Sequence, residues 1–273
     1  MAILNGNADI AASREVFERL YADYNKREFV SPDPLQFLYS YGNPRDREAV
    51  ALIAASLAYG RVAQILKSVQ RVLSVLGKSP AEYLANADEK LLRHEFSGFV
   101  HRFTDENALA AFLSALSRVY REGTTLQDVF CGGFRGDVFA ALESFVRELA
   151  GNEGSFLLPL PSKGSACKRL MLFLRWMVRC DEVDPGGWTQ VFPSALCVPL
   201  DTHMFQICSE IGLCTHRAAN GNAAREITDN FRLISPDDPV KYDFSLTRFG
   251  IRSELTYAEL FGRWKRNRRY SHA

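Results

Sequence analysis

Asn43-Pro44-Arg45-Asp46-Arg47-Glu48-Ala49-Val50-Ala51-Leu52-Ile53-Ala54-Ala55-Ser56-Leu57-Ala58-Tyr59-Gly60 carries the signals of a helix in the order a helix needs them. Asn43 offers a side-chain acceptor as N-cap, and Pro44 brings a preset φ to the first helical position, where its missing amide costs nothing. Asp46 places negative charge in the first turn, against the positive end of the helix dipole. Val50, Ile53, Ala54 and Leu57 then recur on one face, so the spacing predicts a helix over about 44–59.

The same punctuation repeats outward from this stretch. Residues 13–26 put Val16, Leu20, Tyr21 and Tyr24 at helical spacing. A second helix of about 61–76 stops at Gly77, and Ser79-Pro80-Ala81-Glu82 reads as a capping box opening a third. Helical patterns follow near 105–121, 125–131 and 135–150, before the glycines and prolines between Gly151 and Ser165 break the period. From Ser165 to Arg179, Ala166, Leu170, Phe173, Leu174, Met177 and Val178 form an apolar stripe. Lys168, Arg175 and Arg179 fall on another face, which in an isolated helix reads as a solvated basic surface. The loop Asp184-Pro185-Gly186-Gly187 leads on to Pro199-Leu200-Asp201-Thr202-His203, where Asp201 is placed to cap a helix that turns Met204, Ile207, Cys208 and Ile211 inward. Further helices are expected over 222–232, 242–249 and about 256–265. With few strand signals and no repeats, the fold class is all-α.

A chain of 273 residues can bury one large core or two lobes. Its 47% hydrophobic and 24% charged residues are ordinary for a globular protein, and no apolar run approaches the ~18 residues of a membrane span, so a soluble protein is expected. Met1-Ala2-Ile3-Leu4-Asn5-Gly6 has neither a basic leader nor a sustained apolar core, which points to the cytoplasm and to reduced thiols. Cys131, Cys167, Cys180, Cys197, Cys208 and Cys214 show no paired-ligand spacing, so they read as buried structural thiols, with no metal expected. A net charge of +1 gives no overall attraction to nucleic acid. Any such role rests on two local clusters, Lys163, Lys168, Arg169, Arg175 and Arg179, and the C-terminal Arg263, Lys265, Arg266, Arg268 and Arg269. The tail reads equally well as a solubilising segment or as a phosphate-binding one, each neutralised phosphate adding about 0.9 to the salt slope.

Two blocks carry a resemblance. Leu158-Pro159-Leu160-Pro161-Ser162-Lys163-Gly164-Ser165-Ala166-Cys167-Lys168, a turn opening a helix with lysine in its first turn, resembles a degenerate helix-hairpin-helix motif. Val198-Pro199-Leu200-Asp201-Thr202-His203-Met204-Phe205 resembles the proline-x-aspartate-x-histidine segment that supplies the essential aspartate in helix-hairpin-helix DNA glycosylases. The interval between Lys168 and Asp201 is longer than is usual in endonuclease III and is similar to that of archaeal oxoguanine glycosylases. A wider resemblance, to an uncharacterised bacterial family, runs through Asp46-Arg47-Glu48 to Arg61-Val62, Ser165 to Arg179, Pro199 to Phe205, and Asp238-Pro239-Val240-Lys241-Tyr242-Asp243-Phe244. That kinship names no substrate. The chain departs from the superfamily pattern in having one glycine and a lysine where the hairpin usually has glycine-x-glycine, and in lacking the four-cysteine cluster of the iron-sulfur branch.

The resemblance implies two helical lobes with a cleft between them. Residues 44–160 would form a bundle, 1–43 would join 165–273 in the second lobe, and 158–179 would hold the hairpin element at the junction. It implies a DNA glycosylase with lyase activity, acting on an oxidised purine with 8-oxoguanine first, in damaged duplex or single-stranded DNA. No organic cofactor and no obligate protein partner are expected. Lys168 would be the amine nucleophile and Asp201 the carboxylate that accepts its proton and stabilises the positive sugar. Free lysine is mostly protonated, with a pKa of about 10.4, so such an attack needs a base or desolvation. Asp201 at a helix N-terminus is favoured as an anion. Lys163, Gly164, Ser165 and Arg169 would hold the DNA backbone, Lys163 replacing amide contacts by charge. Trp176 and Trp188 would wall the pocket of an extruded base, or else pack the core. His203 would orient the turn or touch phosphate, Tyr59 or Arg61 would fill the gap left by the base, and Asp243 would read the lesion's polar edge. The competing readings are a non-catalytic nucleic-acid-binding module of the same fold and a hydrolase of a modified nucleoside or RNA.

Overall fold

The computed structural model describes residues 3, 4 and 6–270, with the side chains of 265–270 excepted. The fold is all-α, and among the described residues its one sheet is an antiparallel hairpin, Val100–His101 paired with Thr104–Asp105. No helix is long and apolar enough to cross a membrane among these residues. The chain divides into two units. One holds residues 1–29, 164–171 and 193–273, the other 30–163 and 172–192.

In the unit of 30–163 and 172–192, the helix Pro44–Ser56 is the axis. Asn43 caps it as expected, its Oδ1 accepting from the Arg45 amide at 2.9 Å. The predicted single apolar face is too narrow a description, because every residue from Ala49 to Ser56 is fully buried. The 3-10 segment Pro34–Ser40 and the helices Val62–Leu76, Pro80–Asn86 and Leu126–Gly133 pack around it, which is why the run is apolar on all sides.

Its first turn ties these neighbours together. The expected box at Ser79 does not form, since Ser79 makes no capping bond; the Ala81 amide donates instead to Asp46 Oδ1 at 2.9 Å. A capping box occurs at Thr125 and Asp128. Glu48, 2% exposed, accepts from the Leu126 amide at 2.8 Å, the Gln127 amide at 3.2 Å, Trp188 Nε1 at 2.8 Å and the Tyr120 hydroxyl at 3.3 Å. Burial pushes its carboxyl up to about 7, against the lowering effect of those four donors. Arg45 donates to Tyr120 O at 2.9 Å, and Arg47 donates to Tyr41 O, Pro185 O and Gly186 O. The Tyr39 hydroxyl reaches Val183 O at 2.5 Å. These bonds explain why this unit begins at 30 rather than 44 and takes in 172–192, which the sequence reading gave to the other lobe.

The solvated basic face expected on the helix Lys168–Val178 and just beyond is corrected at two positions. Arg175 and Arg179 are buried, and both pair with the fully buried Asp184, Arg175 at 3.1 Å; Arg179 also pairs with Asp181 at 2.8 Å. Long guanidinium side chains enter a core only with such partners.

In the unit of 1–29, 164–171 and 193–273, Thr202–Ile211 packs on Asp243–Ile251. That helix packs on Arg14–Tyr24, with Tyr257–Tyr270 against both. Phe17 is central, with the rings of Phe231, Tyr242 and Trp264 at 5.5, 5.2 and 5.1 Å. The helix expected from Ser165 starts only at Lys168, because Cys167 sits in the left-handed region at φ 48°, which a right-handed helix cannot include. Cys167, Cys197, Cys208 and Cys214 are buried as expected, but Cys180 is exposed and Cys131 half-buried. In the C-terminal basic cluster, Arg263 pairs with Asp23 at 2.7 Å, while the side chains of Lys265, Arg266, Arg268 and Arg269 lie outside the described residues.

Candidate active site at Lys168 and Asp201

Asp201 closes the N-terminus of Thr202–Ile211 from an extended backbone, φ −116° and ψ −175°. Its carboxylate is divided between two tasks. Oδ1 accepts from the Met204 amide at 2.8 Å, which is the cap, and Oδ2 stands 3.1 Å from Lys168 Nζ. The Lys168 side chain is 37% exposed and that of Asp201 14%, so the amine is open to solvent while the anion behind it is largely covered.

The backbone before Lys168 is specialised. A non-glycine residue at positive φ is uncommon and costs on the order of 1–3 kcal/mol, so the conformation of Cys167 has to be held by its surroundings. Ser165 Oγ accepts from the Cys167 amide at 3.0 Å, and Gly164 O accepts from the Gly221 amide at 3.4 Å. This segment is thereby fixed to the start of Gly221–Arg232. Strain one residue ahead of a solvent-facing amine is a setting in which functional side chains are commonly found.

His203, in the first turn beyond Asp201, has Nδ1 2.9 Å from the Tyr257 hydroxyl. Both face Gly250, where a Cβ would stand 2.6 Å from the Tyr257 hydroxyl and closer still to the imidazole. Gly250→Ala is therefore expected to drive the two rings apart and destabilise the protein by about 1–3 kcal/mol. Urea denaturation checks this, and a loss below about 0.5 kcal/mol would mean that the rings have room to move. Neither Tyr257 nor Gly250 stands out by motif; the only hint in the sequence is a glycine inside a helical pattern, which often marks close packing.

The other predicted residues are placed as follows. Lys163 Nζ donates to Glu153 O at 2.8 Å and lies 3.5 Å from the Glu153 carboxylate. Gly164 and Ser165 are exposed and Arg169 half-buried. Asp243 is buried at 3%, in the first turn of Asp243–Ile251. Burial pushes the Cys208 thiol up, with smaller contributions from the charges of Cys214, Asp243 and Asp201. The pocket-wall reading of the two tryptophans is corrected. Trp176 is 1% exposed, and Trp188, 5% exposed, packs against Phe130 and Phe173 with its indole N–H on Glu48. Neither offers a free face to a base. The Tyr59 hydroxyl is bonded at His101 O, 2.7 Å, and Thr104 Oγ1, 2.6 Å, while Arg61 is exposed at the N-cap of Val62–Leu76.

Compared with known proteins, residues 33–252 match the family model described as Protein of unknown function (DUF2400). No curated protein matches the chain, and no solved structure does.

Proposed function

The chain belongs to the DUF2400 family, and from that premise together with the Lys168–Asp201 pair we propose that it is a DNA glycosylase with associated lyase activity, of the helix-hairpin-helix glycosylase type. The observation that carries the reading is the 3.1 Å approach of a half-exposed amine to a covered carboxylate whose second oxygen is committed to a helix cap. An amine needs to lose a proton before it attacks, and Asp201 is within reach to take it. The Lys168 nitrogen then bonds to C1′ of an extruded nucleotide as the N-glycosidic bond breaks. The base leaves with the bonding pair and is protonated. Positive charge developing on the sugar is met by the Asp201 anion. The sugar ring then opens as the C1′–O4′ bond breaks and O4′ takes up a proton, giving a Schiff base between Lys168 and C1′ that can lose a proton from C2′ and expel the 3′ phosphate, nicking the strand by β-elimination. An oxidised purine, 8-oxoguanine first, is the proposed base, damaged DNA the partner and the bacterial cytoplasm the setting.

A non-catalytic DNA-binding module is the second reading, and one observation favours it: the 3.1 Å contact of Lys168 with Asp201 is equally the geometry of an ion pair that serves no turnover. Borohydride trapping decides between them. The protein is incubated with oligonucleotides bearing 8-oxoguanine, uracil, an alkylated purine or an abasic site, and a covalent adduct is expected with at least one. A folded protein that binds these strands and traps on none supports the module and ends the lyase reading.

A further inference from the structure

Tyr257 lies outside the motifs that point to Lys168 and Asp201, yet it is the partner of the one histidine beside them. Its hydroxyl stands 2.9 Å from His203 Nδ1, and the other ring nitrogen, Nε2, has no hydrogen-bond partner among the described residues. Both side chains are half-buried. Burial, and then the charge of Asp201, push the Tyr257 phenol above its ordinary range, so at neutral pH it holds a proton to donate. A neutral imidazole donates from one nitrogen and accepts at the other, and the bond made by one fixes the role of the second. Gly250 supplies the space: a side chain there would strike both the imidazole and the hydroxyl, so the absence of a Cβ is what lets the pair meet over this helix.

We infer that Tyr257 is a positioning residue, holding His203 in the tautomer with its proton on Nε2 so that the ring offers a donor to a phosphodiester oxygen of the strand whose sugar faces Lys168. The opposite tautomer would turn a lone pair toward an anion and repel it. The inference rests on the glycosylase reading for its ligand, but not for its geometry. His203 then supplies a directed neutral donor in the first turn of a helix whose N-terminal amides and dipole already favour negative charge.

The test reads tautomer and binding separately. In ¹⁵N spectra at pH 8, above the ordinary histidine range, His203 is expected to show a protonated Nε2 and an unprotonated Nδ1. Tyr257→Phe should lower the share of that form toward the mixture of a free imidazole, in which Nε2–H is still the commoner tautomer. The same variant should raise the Kd for a duplex carrying a tetrahydrofuran abasic site about fivefold, in keeping with one lost hydrogen bond, and with a cleavable substrate the loss should fall in KM rather than kcat. In a His203→Gln background, where an amide donates without a tautomer to set, Tyr257→Phe should have no further effect on Kd. A wild-type protein with the proton on Nδ1, or a Kd that Tyr257→Phe leaves unmoved, overturns the inference. Absence of any trapped adduct counts against the glycosylase reading instead, because the tautomer spectrum does not depend on turnover.

Discussion

Lys168→Gln is expected to abolish the borohydride-trapped adduct outright, and Asp201→Asn to slow its formation about a hundred- to a thousandfold while leaving the fold intact. Glutamine keeps most of the stem of lysine, ending one atom shorter, but has no nucleophilic nitrogen, so no Schiff base forms. The half-exposed ion pair it removes contributes little to stability, about 0–1 kcal/mol. The aspartate change is the more discriminating one. Asparagine caps helices about as well as aspartate does, and its Oδ1 would still accept from the Met204 amide. What disappears is the anion beside Lys168. Single-turnover trapping and thermal melting of the two variants make the comparison. If Asp201→Asn unfolds the protein, the carboxylate is structural; if it melts normally and traps at the wild-type rate, Asp201 has no part in the chemistry.

Glu48→Gln is expected to destabilise the protein by about 3 kcal/mol at pH 5 and by less at pH 8. Three of the four partners of Glu48 can only donate, the two backbone amides and the Trp188 indole. A glutamine would set its own NH2 against at least one of them. The pH dependence follows from the raised carboxyl, about 7 in the folded chain against an ordinary 4.5. The folded state holds this proton more tightly than the unfolded state. Its contribution to stability is therefore fully present below about 4.5 and is lost as pH rises through about 7. Glutamine does not titrate, so its penalty relative to wild type shrinks over the same interval. Urea denaturation followed by circular dichroism at both pH values measures it, and a penalty that grows with pH would show that the four donors outweigh the burial.

The helices were legible because their caps are local. Asn43 and Asp201 each act within a turn of chain, and each caps the helix that its position suggests. The devices that failed to appear in the sequence act across long separations. Asp46 reads as an acid placed for its own helix but caps a different one at Ala81, and Glu48 does the same at Leu126. Arg175 and Arg179 are a nearer case: Asp184 is only nine and five residues on, but the turn that folds it back beneath them lies outside the helical period, so they look like a solvated face. Lys168 and Asp201 were paired from the resemblance, and the structure brings them to 3.1 Å; periodicity alone places them on separate helices and says nothing of their contact. Tyr257 was hidden for the same reason, since its partner His203 is more than fifty positions away.

Four consecutive residues, Arg45, Asp46, Arg47 and Glu48, bond outward to separate parts of the chain, reaching Tyr120, Ala81, the 185–186 loop and Leu126 in turn, with Tyr120 shared between the first and the last. Successive helical positions point about 100° apart, so the tetrapeptide works like the hub of a wheel with its spokes already assigned. Deleting or inserting one residue between Pro44 and Ala49 would rotate every spoke onto a wrong rim position at once. Length variation among chains of this kind should accordingly collect in the outer loops, while this one turn keeps its spacing.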